Sequence, residues 1–479
     1  MEQVGELKKR VIISTISLYL QSGYSAVLGL VANLVLTILL SPATFGIYIT
    51  ILSMISILNY FSDVGLAASL IQKKEINDED VETTFTIQQL LILTLISIAF
   101  LLTPFIIKFY NLPSDGKYLY WALLFSFFLS SLKTIPSVFL ERKIQFQKIV
   151  LVQVFENSVF YLSVIIFAIL GFQLKSFTYA VFLRSITGLV MIYIISPWMP
   201  RVGINWVHLK QLLRFGVPFQ AGSFLALFKD DLITLYLGKV LGFEGLGYIG
   251  WAKKFAEAPI RIIMDNLSRV MFPVMARIQQ DKQKISRLIE KILHYQTLIL
   301  APSIIGLAII MPILVSTIPK YNKWEPALPI FFLFCLSSLF SSYSSPFMNL
   351  FNALGNVKIS FTFMAIWTAM VWTLTIILTP TLGYFGFPVT QLVLSSTFLF
   401  VVWQAKRFIN FTFIKSIYKP IITALLMGLV LIIIKSLIPL SFISLGVIIF
   451  MGGLTYFILL LVLFKINLIN EVRSVFSYE

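Results

Sequence analysis

Lys253, Glu257, Arg261, Asp265 and Arg269 recur at every fourth position with alternating sign. On a helix that spacing stacks them along one slowly winding face. The stretch around them is apolar enough to lie in a membrane, where an ionisable side chain costs ~2.5–3.5 kcal/mol on insertion scales. Such groups must pair with one another or line water. Lys133, Arg184, Lys229 and Lys254 fall inside similar stretches, as do Asp63, Glu156, Asp230 and Asp231. Guanidinium and ammonium groups suit phosphate oxygens, arginine through paired hydrogen bonds. Carboxylates in such places suit uptake of H+ or Na+, and ion pairs that break and re-form suit gates. Catalysis is poorly served. The chain has no phosphate-binding loop and no nucleophile elbow. Cys335 is the one cysteine, which excludes an internal disulfide and a thiolate cluster, and with His208 and His294 the only histidines no metal site is expected.

The elements that carry these residues follow from composition. Of 479 residues, 58% are apolar and 12% charged, against roughly 45–50% and about 25% in a soluble domain. Mean hydropathy is +0.91. Apolar segments fall near 11–40, 45–71, 84–107, 118–140, 148–170, 176–197, 214–238, 246–275, 290–318, 326–351, 357–380, 384–404, 417–438 and 442–464. Each is long enough for a spanning helix, which needs roughly 20 residues. They predict an all-α integral membrane protein of about fourteen transmembrane helices, with no room for a soluble catalytic domain. The first helix, after Lys8-Lys9-Arg10, is too long for a signal peptide and is expected to be retained.

Most of the 37 Lys and Arg fall in alternate loops, which places both termini in the cytoplasm by the positive-inside rule. That bias also accounts for the net charge of +16, so no nucleic-acid partner is expected. The outer loops are short, which argues against a membrane glycosyltransferase or polymerase. Depth along antiparallel neighbours pairs Lys133 with Glu156 as a structural ion pair. Lys229, Asp230 and Asp231 share a depth with Lys253, Lys254 and Glu257, as an outer gate or a static network. Pro259 is expected to bend its helix. Arg261 either holds phosphate or neutralises Glu257 and Asp265, and Arg184 either holds phosphate or reaches Glu156.

Ser41-Pro42-Ala43-Thr44-Phe45-Gly46-Ile47-Tyr48 is paralleled by Gly242-Phe243-Glu244-Gly245-Leu246-Gly247-Tyr248-Ile249, and Lys148 after the fourth helix by Lys358 after the tenth. Helices 1–6 and 7–12 thus read as two copies in the same orientation, an arrangement common in secondary transporters. The expected organisation is a lobe over 1–205, a second over 206–410, and accessory helices with a cytoplasmic tail over 411–479. Asp63 and Asp265 occupy matching positions in the copies.

The first of these motifs, followed by Asp63-Val64-Gly65-Leu66-Ala67-Ala68-Ser69 and by Leu140-Glu141-Arg142-Lys143-Ile144-Gln145-Phe146-Gln147-Lys148, resembles the bacterial polysaccharide transporters of the Wzx type. These belong to the multidrug/oligosaccharidyl-lipid/polysaccharide exporter superfamily, and the likeness is to the branch exporting colanic and teichuronic acid units. The resemblance implies two lobes around a central cavity that opens alternately to each side of the bacterial cytoplasmic membrane. It implies a flippase, not an enzyme, moving undecaprenyl-pyrophosphate-linked oligosaccharide to the outer leaflet, with no cofactor beyond coupling to H+ or Na+. Membrane lipids and polysaccharide polymerase machinery are the further partners. On that reading Arg184 and Arg261 grip the pyrophosphate, with Lys253, Lys254 and Arg269 as further substrate candidates. Asp63, Asp265, Glu257, Lys229, Asp230 and Asp231 are the coupling or gating candidates. The alternatives are a multidrug cation antiporter of the same superfamily and a membrane-embedded polymerase.

Overall fold

The computed structural model describes residues 2–221, 224–439 and 441–464, and among them the side chains outside 2–12, 219, 221, 224–226, 265–266, 269–270 and 463–464. Every regular element among the described residues is helical. The chain divides into two compact units, Met1–Gly250 and Trp251–Glu479.

In the first unit, α1 (Glu2–Leu39), α2 (Pro42–Phe61), α3 (Leu66–Gln72), α4 (Asp78–Leu101), α5 (Thr103–Tyr110), α6 (Ser114–Leu132), α7 (Thr134–Arg142), α8 (Phe146–Ile169), α9 (Leu174–Ile195) and α10 (Trp206–Ala221) follow in order, and α11 (Phe224–Arg277) begins there. The Ser41 hydroxyl accepts from the Thr44 N–H, with Pro42 at the first helical position, and so starts α2. Asn77 and Asp80 form a reciprocal capping box that starts α4. Helix α8 packs between α1 and α9, α9 packs on α6, and α6 on α2 and α4.

Pro136 kinks the predicted fourth helix into α6 and α7. Proline cannot donate to the carbonyl four residues back, that of Leu132. The Tyr193 hydroxyl donates to that carbonyl instead, at 3.1 Å. Lys133 sits at the kink between α6 and α7.

In the second unit come the rest of α11, then α12 (Lys282–Thr317), α13 (Leu328–Ser342), α14 (Ser345–Ala353), α15 (Val357–Leu382), α16 (Gly386–Ser396), α17 (Phe398–Ala405), α18 (Phe413–Leu437) and α19 (Phe442–Phe464). Pro346 breaks the predicted tenth helix into α13 and α14 as Pro136 breaks the fourth. The carbonyl that it leaves free, on Ser342, faces the Gln296 amide at 3.5 Å. Trp251 stacks on Trp324 with centroids 5.4 Å apart, and its indole N–H donates to the Tyr321 hydroxyl at 2.9 Å. Helices α18 and α19 lie against α12.

Twelve spans among the described residues are long and apolar enough to cross a membrane. Two of them, Leu227–Met264 and Val357–Ala405, each overlap two of the fourteen predicted segments. Gly242 (φ 69°, ψ 179°) interrupts the first, and the turn at Gly383 interrupts the second. The second predicted helix, over 45–71, is also interrupted: α2 stops at Phe61 and α3 starts at Leu66.

The two glycine motifs meet within the first unit. A β-carbon on Gly46 would fall on the Phe243 carbonyl, and one on Gly247 would fall on the Pro42 carbonyl. Each glycine thus packs against the residue four positions before the other, the reciprocity that a two-fold relation between the motifs requires. Backbones this close admit no side chain at either position. Gly46→Ala or Gly247→Ala is expected to cost about 1–3 kcal/mol through overpacking. Gly23, with no atom within 4 Å of a built β-carbon, is expected to accept alanine without loss. Thermal unfolding in detergent, monitored by intrinsic fluorescence, checks the difference.

Candidate functional site

Polar side chains from α2, α6, α8 and α9 line a cavity of about 180 Å³ in the first unit. Tyr48 and Asn59 come from α2, Ser126 and Ser130 from α6, Lys133 from the α6–α7 kink, Glu156 from α8, and Arg184 and Ser185 from α9. Ser126, Ser130 and Lys133 are spaced four and three apart, which places them on one face.

The Lys133 ammonium donates to Glu156 in an ion pair whose carboxylate is 9% exposed. Glu156 lies directly over Gly188 of α9, where a β-carbon would overlap its carboxylate. One turn earlier on α9, the Arg184 guanidinium sits 5.6 Å from the centroid of Phe160, itself one turn beyond Glu156 on α8. Arg184 has no carboxylate partner among the described residues. Ser185 and Ser126 share a hydrogen bond of 2.6 Å. The cavity therefore presents one neutralised cation, one guanidinium with donors to spare, and several hydroxyls. That set suits an anion bearing oxygens.

In the second unit, Glu257 lies between Lys253 at 3.9 Å and Arg261 at 2.9 Å, each one turn away on α11. The alternating ladder is thus present over its first three members. The side chains of Asp265 and Arg269 lie outside the described residues. Lys253 also sits 5.8 Å from the Phe387 ring centroid, and Lys254 is exposed. Pro259 does not interrupt α11, whose one non-helical position is Gly242. Of the serines of the predicted tenth helix, Ser337 donates to the Gln391 carbonyl at 3.0 Å, and Ser341 and Ser342 donate to carbonyls of their own helix.

Four coupling or gating candidates lie in the first unit. Asp231 accepts from the Ser56 hydroxyl at 3.0 Å, while Lys229 and Asp230 form no ion pair among the described residues. Asp63 is not inside a membrane helix as the apolar segment suggested. It occupies the break between α2 and α3, and its carboxylate accepts the Ala67 N–H at 3.0 Å. Burial holds its carboxyl above the usual range, opposed by the N–H groups of Ala67 and Leu66.

Sequence reasoning missed Tyr48, Asn59, Ser126, Ser130 and Ser185. The polar stripe on α6 ending at Lys133 was the readable signal. It also missed the network at the helix ends, where Asp80, 1% exposed, takes Lys73 at 2.7 Å and His208 at 2.6 Å.

Breaking the buried pair from one side should be far worse than removing both partners. Glu156→Gln leaves an unanswered ammonium and is expected to cost about 3–5 kcal/mol, whereas Lys133→Met with Glu156→Leu recovers most of the loss. A double-mutant cycle on thermal unfolding of the purified protein measures this coupling, and additive single effects would contradict it.

With this geometry in place, three likenesses bear on identity. WzxC of Escherichia coli (strain K12), a lipopolysaccharide biosynthesis protein, is 26% identical over 349 residues, covering 70% of this chain and 68% of WzxC. Among solved structures, the lipid II flippase MurJ in an inward closed conformation superposes with a TM-score of 0.75 at 17% identity, over 95% of this chain and 99% of MurJ. An inward-facing multidrug resistance MATE family transporter of the MOP superfamily gives 0.62 at 16% identity, over 79% of this chain and 94% of that one. The two structures show the same fold. Residues 35–329, more than half of the chain, match the polysaccharide biosynthesis protein family, and the chain belongs to that family.

Proposed function

We propose that this multi-pass membrane protein is a flippase that carries a lipid-linked oligosaccharide across the bacterial cytoplasmic membrane by alternating access, for cell-surface polysaccharide synthesis. One observation carries the reading. Arg184 is a guanidinium without a carboxylate partner among the described residues, opening onto a hydroxyl-lined cavity inside an apolar helical body. A pyrophosphate on an undecaprenyl carrier offers the oxygens that such a group holds, and sugars offer hydroxyls to Ser126, Ser130 and Tyr48.

A second feature supports a lipid-borne cargo. Helices α12, α18 and α19 border an apolar groove of about 450 Å³, lined by Pro302, Gly306, Leu431, Gly452 and Tyr456 among others. Its walls suit an isoprenoid or acyl chain. Arg261 supplies the second guanidinium in this proposal, with Lys253, Lys254 and Arg269 as further cations along α11.

The working lobes are proposed as 1–205 and 206–410, with 411–479 accessory and both termini cytoplasmic. Coupling to H+ or Na+ is assigned to the carboxylates of Asp231, Glu257 and Asp265, with Lys229 and Asp230 as gating residues beside them. Asp63 belongs with the cap of α3. A polymerase acting on the flipped units is the expected downstream partner. A multidrug cation antiporter would want an acidic cavity, and this one holds Lys133 and Arg184 against a single Glu156.

The sidedness of the lipid-linked precursor tests the reading. In cells depleted of the protein, labelled glycan is expected to accumulate shielded from an impermeant reagent outside. Re-expression restores exposure. Arg184→Gln or Arg261→Gln is expected to lower it at least about tenfold, since a hydrogen bond to a charged group is worth ~1.5–3 kcal/mol. Normal outward exposure in depleted cells, with units left unpolymerised, overturns the flippase.

A further inference from the structure

The second unit holds a different cavity, of about 570 Å³, where the first turns of α12 meet the loop that follows α17. Lys282 and Arg287 line it from α12, and Lys406 and Arg407 from the loop. These segments are separated in sequence by everything from α13 to α17, yet their cations converge on one concavity. Lys282, Arg287 and Lys406 form no ion pair among the described residues.

The acidic groups nearby are already committed. Asp281 caps α12, accepting the N–H groups of Gln283 and Lys284 at 3.1 and 3.0 Å, and it pairs with the Lys284 ammonium at 3.4 Å. Glu290, the one carboxylate lining the cavity among the described residues, accepts from both the N–H and the hydroxyl of Thr412, at 2.6 and 2.7 Å. That bond fastens the loop to α12. The loop is held from below as well, since Ile409 is 2% exposed and Phe411 7%. The Arg407 guanidinium rests 3.9 Å over the Trp403 ring. The cations are thus mounted on an anchored frame.

The first unit shows what the corresponding place looks like when the chain supplies its own counter-charge. There the start of α4 meets the segment between α9 and α10. Arg201 faces Asp78 and Glu82 at 3.8 and 4.0 Å, Asn205 donates to Glu79 at 2.6 Å, and His208 and Lys73 both reach Asp80. In α4 the first turn is acidic, and in α12 it is basic. A positive-inside bias alone asks for cations on that side of the membrane. It does not ask them to surround a cavity whose carboxylate is turned to a threonine.

We infer that this cavity binds a phosphate-bearing anion, and its place at the helix ends makes the headgroup of an anionic phospholipid the expected source. Basic pockets at the cytoplasmic ends of helices take such headgroups, and arginine and lysine together supply the fork and point charges that phosphate oxygens accept. The site is independent of the Arg184 cavity and stands or falls without it.

The test uses the purified full chain in neutral detergent. Native mass spectrometry counts retained phosphatidylglycerol and phosphatidylcholine, and a parallel titration follows inorganic phosphate. Arg287→Gln with Lys406→Gln is expected to weaken phosphatidylglycerol retention at least about tenfold and leave phosphatidylcholine unchanged. Arg287→Lys with Lys406→Arg is expected to keep it. The control Lys358→Gln with Lys415→Gln, exposed cations lining neither segment, is expected to behave as the unaltered protein. Phosphate binding that is lost in the same variant, without lipid selectivity, supports the site and assigns it to a soluble anion. Equal losses in site and control variants, or no loss in either, overturn it. Should the double variant fail to fold, Lys282→Gln on the exposed first turn gives the same reading.

Discussion

A charge in hydrocarbon must be answered where it stands, and the first unit is arranged around one such answer. Lys133 and Glu156 neutralise each other within apolar spans. Three local features surround that pair. Pro136 kinks α6 from α7 at the lysine, Tyr193 takes over the carbonyl that the proline abandons, and Gly188 lets the carboxylate lie flat on α9. Arg184, one turn from Gly188, is left with its donors directed at the cavity because the nearest carboxylate is already engaged.

The same economy governs close packing. Water-driven burial offers little between helices in lipid, so contact relies on approach distance. Gly46 and Gly247 bring two backbones together reciprocally. The proline-broken helices recur in both units, at Pro136 and Pro346, each with a side chain covering the freed carbonyl. Repetition of such devices, more than similarity of side chains, is what the two halves of the sequence share.

The ends of the helices differ where their interiors agree. In the first unit, a buried Asp80 and its acidic neighbours collect Lys73, Arg201 and His208 into a closed network. In the second, the matching turn of α12 carries cations, and its Glu290 secures a loop. At one end the cations meet carboxylates of the chain itself, and the other end is open to an anion.

The amino-acid sequence alone determined the membrane class, the helical character and the two matching glycine motifs, because hydropathy and small-residue spacing are local properties; that the motifs pack on one another came from the tertiary structure. The sequence also pointed to Lys133 and Glu156, since depth along antiparallel helices is a matter of counting at 1.5 Å per residue. It missed the break that puts Asp63 outside a membrane helix. Apolar continuity through Gly65 hid a turn that is stabilised by the carboxylate itself. Two of the twelve spans among the described residues each take in parts of two of the fourteen expected segments, divided at Gly242 and Gly383, and α11 keeps helical dihedrals through Pro259. Only the tertiary structure decided which polar groups share a cavity. Whether Arg184 finds Glu156 or leaves it to Lys133 depends on the rotation of α8 and α9 about their axes, which periodicity constrains only to a face. Likewise, four cations scattered from 282 to 407 become one basin because a glutamate and a threonine tie two distant segments together.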